Sequence, residues 1–321
     1  MNEMDHNDES NLDNEHLHNE AQSKVAELSL EELRYTTFAE FLAMFFFVTT
    51  VGYSAGLGLF FGIYVVLVTF APLSGAHCNP DLTLGHYIAL PRDNISFKKL
   101  IFYIIAQLLA TLLAVLFKFI LTEKIIAPVV PEDTTTLNAF CQELLWGGWL
   151  VFINLYVSSC VTAPSKNFLA NVFVFTSCLY YNIMVTVGVT GGSLNPAIGL
   201  IGNICGLILI GDSNSHNYSR SLWISSIAPF VGGIIFSLIF RFVFEPLFII
   251  LNTFNKSKAE LLCTDNSHNN LIKSENQSNS SPPKTEDIYV GDGSNDSSEI
   301  STTKKMMVQT MNKLKAKAQK H

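Results

Sequence analysis

A short motif occurs twice in the chain, first as Ser74-Gly75-Ala76-His77-Cys78-Asn79-Pro80-Asp81 and again as Thr190-Gly191-Gly192-Ser193-Leu194-Asn195-Pro196-Ala197. In each copy Asn and then Pro precede an apolar run, and small residues come before them. Asn is a favoured N-cap and Pro a favoured first helical residue, so each copy predicts a helix that begins at the proline. About ten residues per helix, at about 1.5 Å per residue, reach roughly halfway across a bilayer core.

The composition is that of an integral membrane protein. Of the 321 residues, 49% are hydrophobic and only 15% are charged, although both ends of the chain are polar. The six cysteines include no Cys-x-x-Cys pair, and most lie in apolar segments, so we expect neither a disulfide nor a metal. The net charge of −7 reflects acids crowded near the N-terminus and does not suggest a nucleic-acid partner.

Six apolar runs surround the two motifs, and each approaches or exceeds the roughly 20 residues that cross a bilayer. The runs lie at 37–55, 58–73, 100–121, 139–161, 169–188 and 221–251. One motif follows the second run and the other follows the fifth, which predicts a duplication of three spans and a half-helix, about 29–121 and about 139–251. Three spans are an odd number, so the two copies must enter the membrane from opposite sides.

Polar segments flank the predicted channel domain, residues 29–251. Residues 1–28 and 252–321 have too few apolar groups to offset chain entropy, so we expect both to be disordered. Lys and Arg are richer on the side of the spans that carries these tails, which predicts cytosolic termini. Residues 304–320 alternate Lys with apolar residues at helical spacing, as in a helix that binds anionic lipid or a calmodulin-like partner; a solvated tail is the alternative.

Two half-helices that enter from opposite faces bring their N-termini together near the bilayer midplane. Irregular backbone at that depth is tolerated where it lines a water-filled cavity, so a pore explains the motif economically. Asn79 and Asn195 would each cap a helix with the amide oxygen and offer NH2 donors to a passing molecule. No nucleophile, base and orienting acid are grouped in the sequence, so we expect neither an enzyme nor a cofactor.

The chain resembles the aquaporins and aquaglyceroporins, the major intrinsic protein family, over about residues 34–251. The resemblance rests on both motifs, on Glu40 and Glu143, and on Ala228-Pro229-Phe230-Val231-Gly232-Gly233. It implies an all-α membrane bundle of six transmembrane helices and two re-entrant half-helices, assembled as a homotetramer with one pore per subunit.

The resemblance also implies roles for individual residues. The pore region would consist of Asn79, Pro80, Asp81, Asn195, Pro196 and Ala197, in which the two Asn side chains donate to the lumen. The two span acids would support the pore by accepting hydrogen bonds from the loops that lead to the half-helices, with His77 among the supporting residues. Direct contact of the acids with the solute is the alternative.

The outer filter departs from the family. Members usually carry Arg directly after the second Asn-Pro-Ala, where this chain has Ile198, and the Asp of many glycerol channels is replaced by Gly199. The predicted filter positions are Ile183, Gly192, Ile198 and either Leu59 or Phe61. Such a constriction is apolar and uncharged, which weakens the exclusion of cations, removes a donor for solutes, and allows closure by dewetting.

Asp81 stands where the family usually has Ala. A carboxylate in the first turn of a helix gains about 0.3 to 1 kcal/mol from the dipole, less than the several kcal/mol that an unpaired buried charge costs. Asp81 is therefore expected to be protonated, paired with His77 or wet, in a buried capping role or in the lumen.

Cys78, beside Asn79, is either a mercurial-reactive residue of the lumen or a buried small residue.

The leading prediction is a passive channel for water or small neutral solutes such as glycerol or urea, in the plasma membrane or an intracellular vesicle membrane. One alternative is a non-conducting scaffold, or a channel that stays closed until a tail is modified. The other is a cation-leaky pore, which would follow from an ionised Asp81 in the lumen and the missing Arg.

Overall fold

The computed structural model describes residues 5–90, 95–210 and 215–259, with side chains from Ser29 onward and, in the last range, from His216. Regular structure in these ranges is helical. The helices are α1 Asp5–Tyr53, α2 Gly56–Ser74, α3 Pro80–Ala89, α4 Phe97–Thr122, α5 Thr136–Ser158, α6 Phe168–Thr190, α7 Pro196–Leu209 and α8 Ser215–Ile239. The last of them continues through a π-helical turn at Phe240–Phe244 to residue 259.

Within the described ranges, six helical segments are long and apolar enough to cross a bilayer. They are Ser29–Tyr53 of α1, then α2, α4, α5, α6 and the segment His216–Ala259. The short helices α3 and α7 have 10 and 14 residues, too few to span the core. The chain is therefore an all-α, multi-pass membrane protein, as predicted. The second half-helix is longer than expected because its apolar run continues as far as Leu209.

The first and last helices extend beyond their predicted ends. Helix α1 begins at Asp5, within the segment 1–28 for which we predicted disorder. The last helix runs past residue 251 to 259. Once a helix has formed, each further residue adds one hydrogen bond, so a polar extension needs no new nucleus. The remainder of the C-terminal tail, including 304–320, lies outside the described residues.

Each half-helix packs between helices of both repeats. Helix α3 contacts α4 of its own half and α5 and α8 of the other, and α7 contacts α4 as well as α8. Helices α5 and α8 approach closely because glycines face each other: a Cβ on Gly148 would lie 2.8 Å from the Gly232 carbonyl oxygen. This contact explains Gly232, the first glycine of the Gly232-Gly233 pair that the sequence singled out. The packing brings the N-termini of α3 and α7 to the middle of the bundle.

Candidate functional site

The two half-helices begin with the same cap. The Oδ1 atom of Asn79 accepts a hydrogen bond from the backbone N–H of Asp81 at 2.9 Å, and Oδ1 of Asn195 accepts one from Ala197 at 3.0 Å. The proline that follows each Asn is the first helical residue, where its missing N–H costs nothing. Both helix starts lie where the motif predicts them.

The caps are joined to each other across the middle of the bundle. The Nδ2 atom of Asn79 donates to the carbonyl oxygen of Leu194 at 2.8 Å, and Nδ2 of Asn195 donates to that of Cys78, also at 2.8 Å. Because an amide nitrogen carries two hydrogens, each Asn keeps one N–H for another acceptor. The reciprocal bonds fix both donors at the meeting point of the two helix N-termini.

Glu40 accepts hydrogen bonds from the loop that leads to α3. The backbone N–H groups of His77 and Cys78 donate to its carboxylate at 3.2 and 2.6 Å. The Ser74 hydroxyl and the Gln107 amide donate to it at 2.7 and 2.9 Å. Glu40 is fully buried. These four donors support the pore-supporting role that we predicted from the resemblance.

Glu143 does the same for the loop that leads to α7. It accepts from the backbone N–H groups of Ser193 and Leu194 at 3.2 and 2.8 Å and from the Thr190 hydroxyl at 2.5 Å. Leu194 has φ +48° and its counterpart Cys78 has φ +49°, values in the left-handed region that few residues with a side chain adopt. Each acid therefore holds one unfavourable backbone conformation in place.

Two cavities lie next to the loops that lead to the half-helices. The first has a volume of about 340 Å³ and is lined by Asn79 and Asn195 among others. The second, of about 490 Å³, is lined by polar residues such as Asn154 and Lys99. Leu67, His77 and Phe175 line both cavities. The two cavities are therefore neighbours that share these three residues in their walls.

The predicted filter residues line the first cavity. These are Leu59, Ile183, Gly192 and Ile198. The alternative second-span residue, Phe61, is 58% exposed on the outside of the bundle and lines neither cavity, so that alternative was wrong. Among the described residues, no Asp or Glu lines either cavity. Cys78 is buried and also lines the first cavity, which combines the two possibilities that the sequence left open.

Asp81 is buried against α8 and not exposed to the lumen. It is 1% exposed, lines neither cavity, and neither carboxyl oxygen has a hydrogen-bond partner in the described structure. A Cβ on Gly233 would lie only 1.8 Å from Oδ1 of Asp81. The carboxyl group therefore fits only because Gly233 has no side chain. Pairing with His77, one of the three expected states, is not seen; Nδ1 of His77 lies 3.2 Å from the Thr83 hydroxyl instead. An unpaired buried carboxylate is costly, so burial favours the neutral acid.

The structure adds residues that the sequence did not single out. The ring of His86 stacks on that of His77, with centroids 4.5 Å apart, and its Nε2 lies 2.6 Å from Oδ1 of Asn154. Lys118, near the end of α4, lines the first cavity. The position of His86 in the middle of an apolar half-helix is a signal in the sequence that could have identified this residue. No local pattern distinguished Lys118 from other lysines near span ends.

The profile of the family described as Major intrinsic protein matches residues 27–240. A probable aquaporin TIP-type of Medicago truncatula is 28% identical over 215 residues, 66% of this chain and 76% of its own. An aquaglyceroporin of Plasmodium berghei (strain Anka) is 29% identical over 222 residues, 64% of this chain and 81% of its own. The X-ray structure of the aquaglyceroporin from Plasmodium falciparum superposes with a TM-score of 0.57 at 23% identity and covers 69% of this chain and 99% of that one.

Proposed function

This chain belongs to the major intrinsic protein family, whose members are channels and not enzymes, and from that premise we propose that it conducts water and small neutral solutes such as glycerol or urea passively. The placement of Asn79 and Asn195 carries the proposal, since both line the first cavity with an N–H to spare. A neutral solute regains there the hydrogen bonds it loses with water, whereas a cation meets two positive helix ends.

The first cavity supports solutes larger than water. Its predicted filter has no side chain at Gly192 and carries Ile198 where the family usually has Arg. A small aliphatic side chain leaves more of the lumen open than a guanidinium would, and it favours solutes with apolar as well as polar groups. The similarity to a chain named an aquaglyceroporin agrees with glycerol as one solute.

Osmotic swelling of proteoliposomes tests this proposal. Vesicles that contain the purified wild type should take up water, glycerol and urea faster than empty vesicles. Ile198→Arg should slow glycerol and urea more than water because the guanidinium fills the constriction, while Ile198→Met, which keeps an apolar side chain of similar volume, should leave the order of solutes unchanged. Uptake no faster than that of empty vesicles for every solute, with folded protein present, would contradict the channel.

A second candidate, a channel that is closed until a tail is modified, is favoured by the apolar constriction, since a ring of Leu59, Ile183 and Ile198 can close a pore by dewetting. Removal of residues 260–321 should then raise solute uptake. A non-conducting scaffold would instead stay silent after the deletion. The cation-leaky alternative loses one of its two motivations, because Asp81 lines neither cavity, whereas the Arg position is still occupied by Ile198.

The distribution of Lys and Arg places both termini in the cytosol. The resemblance implies a homotetramer, which we place in the plasma membrane or a vesicle membrane. Large apolar side chains exposed on the spans support contact with lipid and with other subunits, for example Phe102, Ile105 and Leu109 of α4. Protection of a C-terminal tag from protease added outside intact cells tests the orientation. Cross-linking in native membranes tests the assembly.

A further inference from the structure

Lys118 is fixed at the end of the first cavity that adjoins the α1–α2 turn. Its Nζ donates to the carbonyl oxygen of Gly52 at 2.5 Å and lies 5.4 Å from the centroid of the Tyr53 ring. Ser54, Ala55 and Gly56 of the turn line the same cavity. Among the described residues that line this cavity, Lys118 is the only Lys, Arg, Asp or Glu.

The position of this ammonium matters because the constriction itself carries no charge. The filter residues Leu59, Ile183 and Ile198 are apolar, and the half-helix N-termini provide only about half a positive charge each. A cavity with low-dielectric walls focuses the field of a fixed charge and changes the local concentration of ions by roughly tenfold or more. A single ammonium at the mouth therefore acts on every ion that enters.

We propose that Lys118 is a specificity-determining residue of the pore: its charge repels cations at the mouth of the first cavity, a task that the constriction of this chain cannot perform. The inference rests on the proposed channel function. It assigns charge selection and solute selection to separate places, the first to the mouth and the second to the apolar ring.

A purely structural role makes a different prediction. The bond from Lys118 to Gly52 also satisfies a carbonyl in the last turn of α1, which has no partner within its own helix. Lys118→Gln keeps a donor but removes the charge, Lys118→Arg keeps both, and Lys118→Met keeps neither. Lys124→Gln is the matched control, because Lys124 is exposed at the same end of the bundle and lines neither cavity.

The test measures potassium currents in planar bilayers and the uptake of a neutral solute by proteoliposomes, for each full-length variant after its folding has been checked by gel filtration. Lys118→Gln and Lys118→Met should both raise the ratio of potassium to neutral-solute permeability at least tenfold, whereas Lys118→Arg and Lys124→Gln should match the wild type.

Two results would overturn the inference while the channel stands: a wild type that conducts a neutral solute with a Lys118→Gln variant that still rejects potassium, or a leak in Lys118→Met alone, which is the signature of a lost hydrogen bond. A wild type that conducts no neutral solute would instead refute the proposed function, and with it this inference.

Discussion

The half-helices α3 and α7 begin alike and then pack differently. Past the shared Asn cap, the Thr83 hydroxyl of α3 meets the Gln107 amide and the His77 ring at 3.0 and 3.2 Å. The same position of α7 is Gly199, where a Cβ would lie 2.5 Å from the backbone oxygen of Ser225. At this position α3 is held by a polar network and α7 by close approach to α8. The duplicated fold therefore fixes how the donors are placed, and each half packs its helix by its own means.

The two half-helices share a buried Glu that holds the loop before the helix, and this shared feature predicts the largest effect. Glu143→Leu leaves the N–H groups of Ser193 and Leu194 without their acceptor, which should lower the free energy of unfolding by roughly 2 to 6 kcal/mol at about 1 to 3 kcal/mol per group. Glu40→Leu should cost a similar amount, because it leaves the N–H groups of His77 and Cys78 without their acceptor. Thermal unfolding in detergent measures both variants, with exposed Leu145→Met as control. A loss of less than about 1 kcal/mol in one of the two variants would mean that its loop does not depend on the acid for stability.

The close packing of α7 predicts the next effect. Gly199→Ala forces a Cβ against the Ser225 backbone, which cannot rotate away, so overpacking should cost about 2 to 3 kcal/mol. Gly188→Ala is the control, since a Cβ on Gly188 meets nothing within 4 Å. Unfolding of the two variants in parallel measures the difference. Equal stabilities would mean that α7 can shift away from α8, which would contradict the proposal that close approach to α8 holds this helix.

The sequence predicts most reliably what neighbouring residues determine. Asn before Pro is a local signal, and both caps form where it places them. Where the outcome depends on a distant part of the chain, the sequence leaves alternatives: the place of Asp81 is decided by Gly233 on α8, and the choice of Leu59 over Phe61 by the rotation of α2. Lys118 could not be assigned to the cavity because its partner, the Gly52 carbonyl, belongs to another helix.

Asp81 of α3 and Gly233 of α8 predict a coupled effect at the first half-helix and not at α7. Gly233→Ala should cost about 1 to 2 kcal/mol in the wild type but almost nothing after Asp81→Ala, which removes the atom it meets. Asp81→Ala alone should stabilise the protein by about 1 kcal/mol, because both carboxyl oxygens lack partners. Gly232→Ala controls the double-mutant cycle, since its Cβ would meet the Leu144 backbone and not Asp81. Additive costs for Asp81 and Gly233 would refute the contact.

The polar network of α3 predicts the smallest effect. The Thr83 hydroxyl donates to the carbonyl of its own cap, Asn79, at 3.0 Å and accepts from the Gln107 amide. Thr83→Ala should therefore lower the free energy of unfolding by about 0.5 to 1.5 kcal/mol, and Thr83→Ser, which keeps the hydroxyl, should recover most of it. Because His77 lines both cavities and shares this hydroxyl, solute uptake should change in the Ala variant and not in the Ser variant. If Ser and Ala behave alike in both measurements, the methyl group and not the network holds α3, and the two half-helices are then packed by the same apolar means.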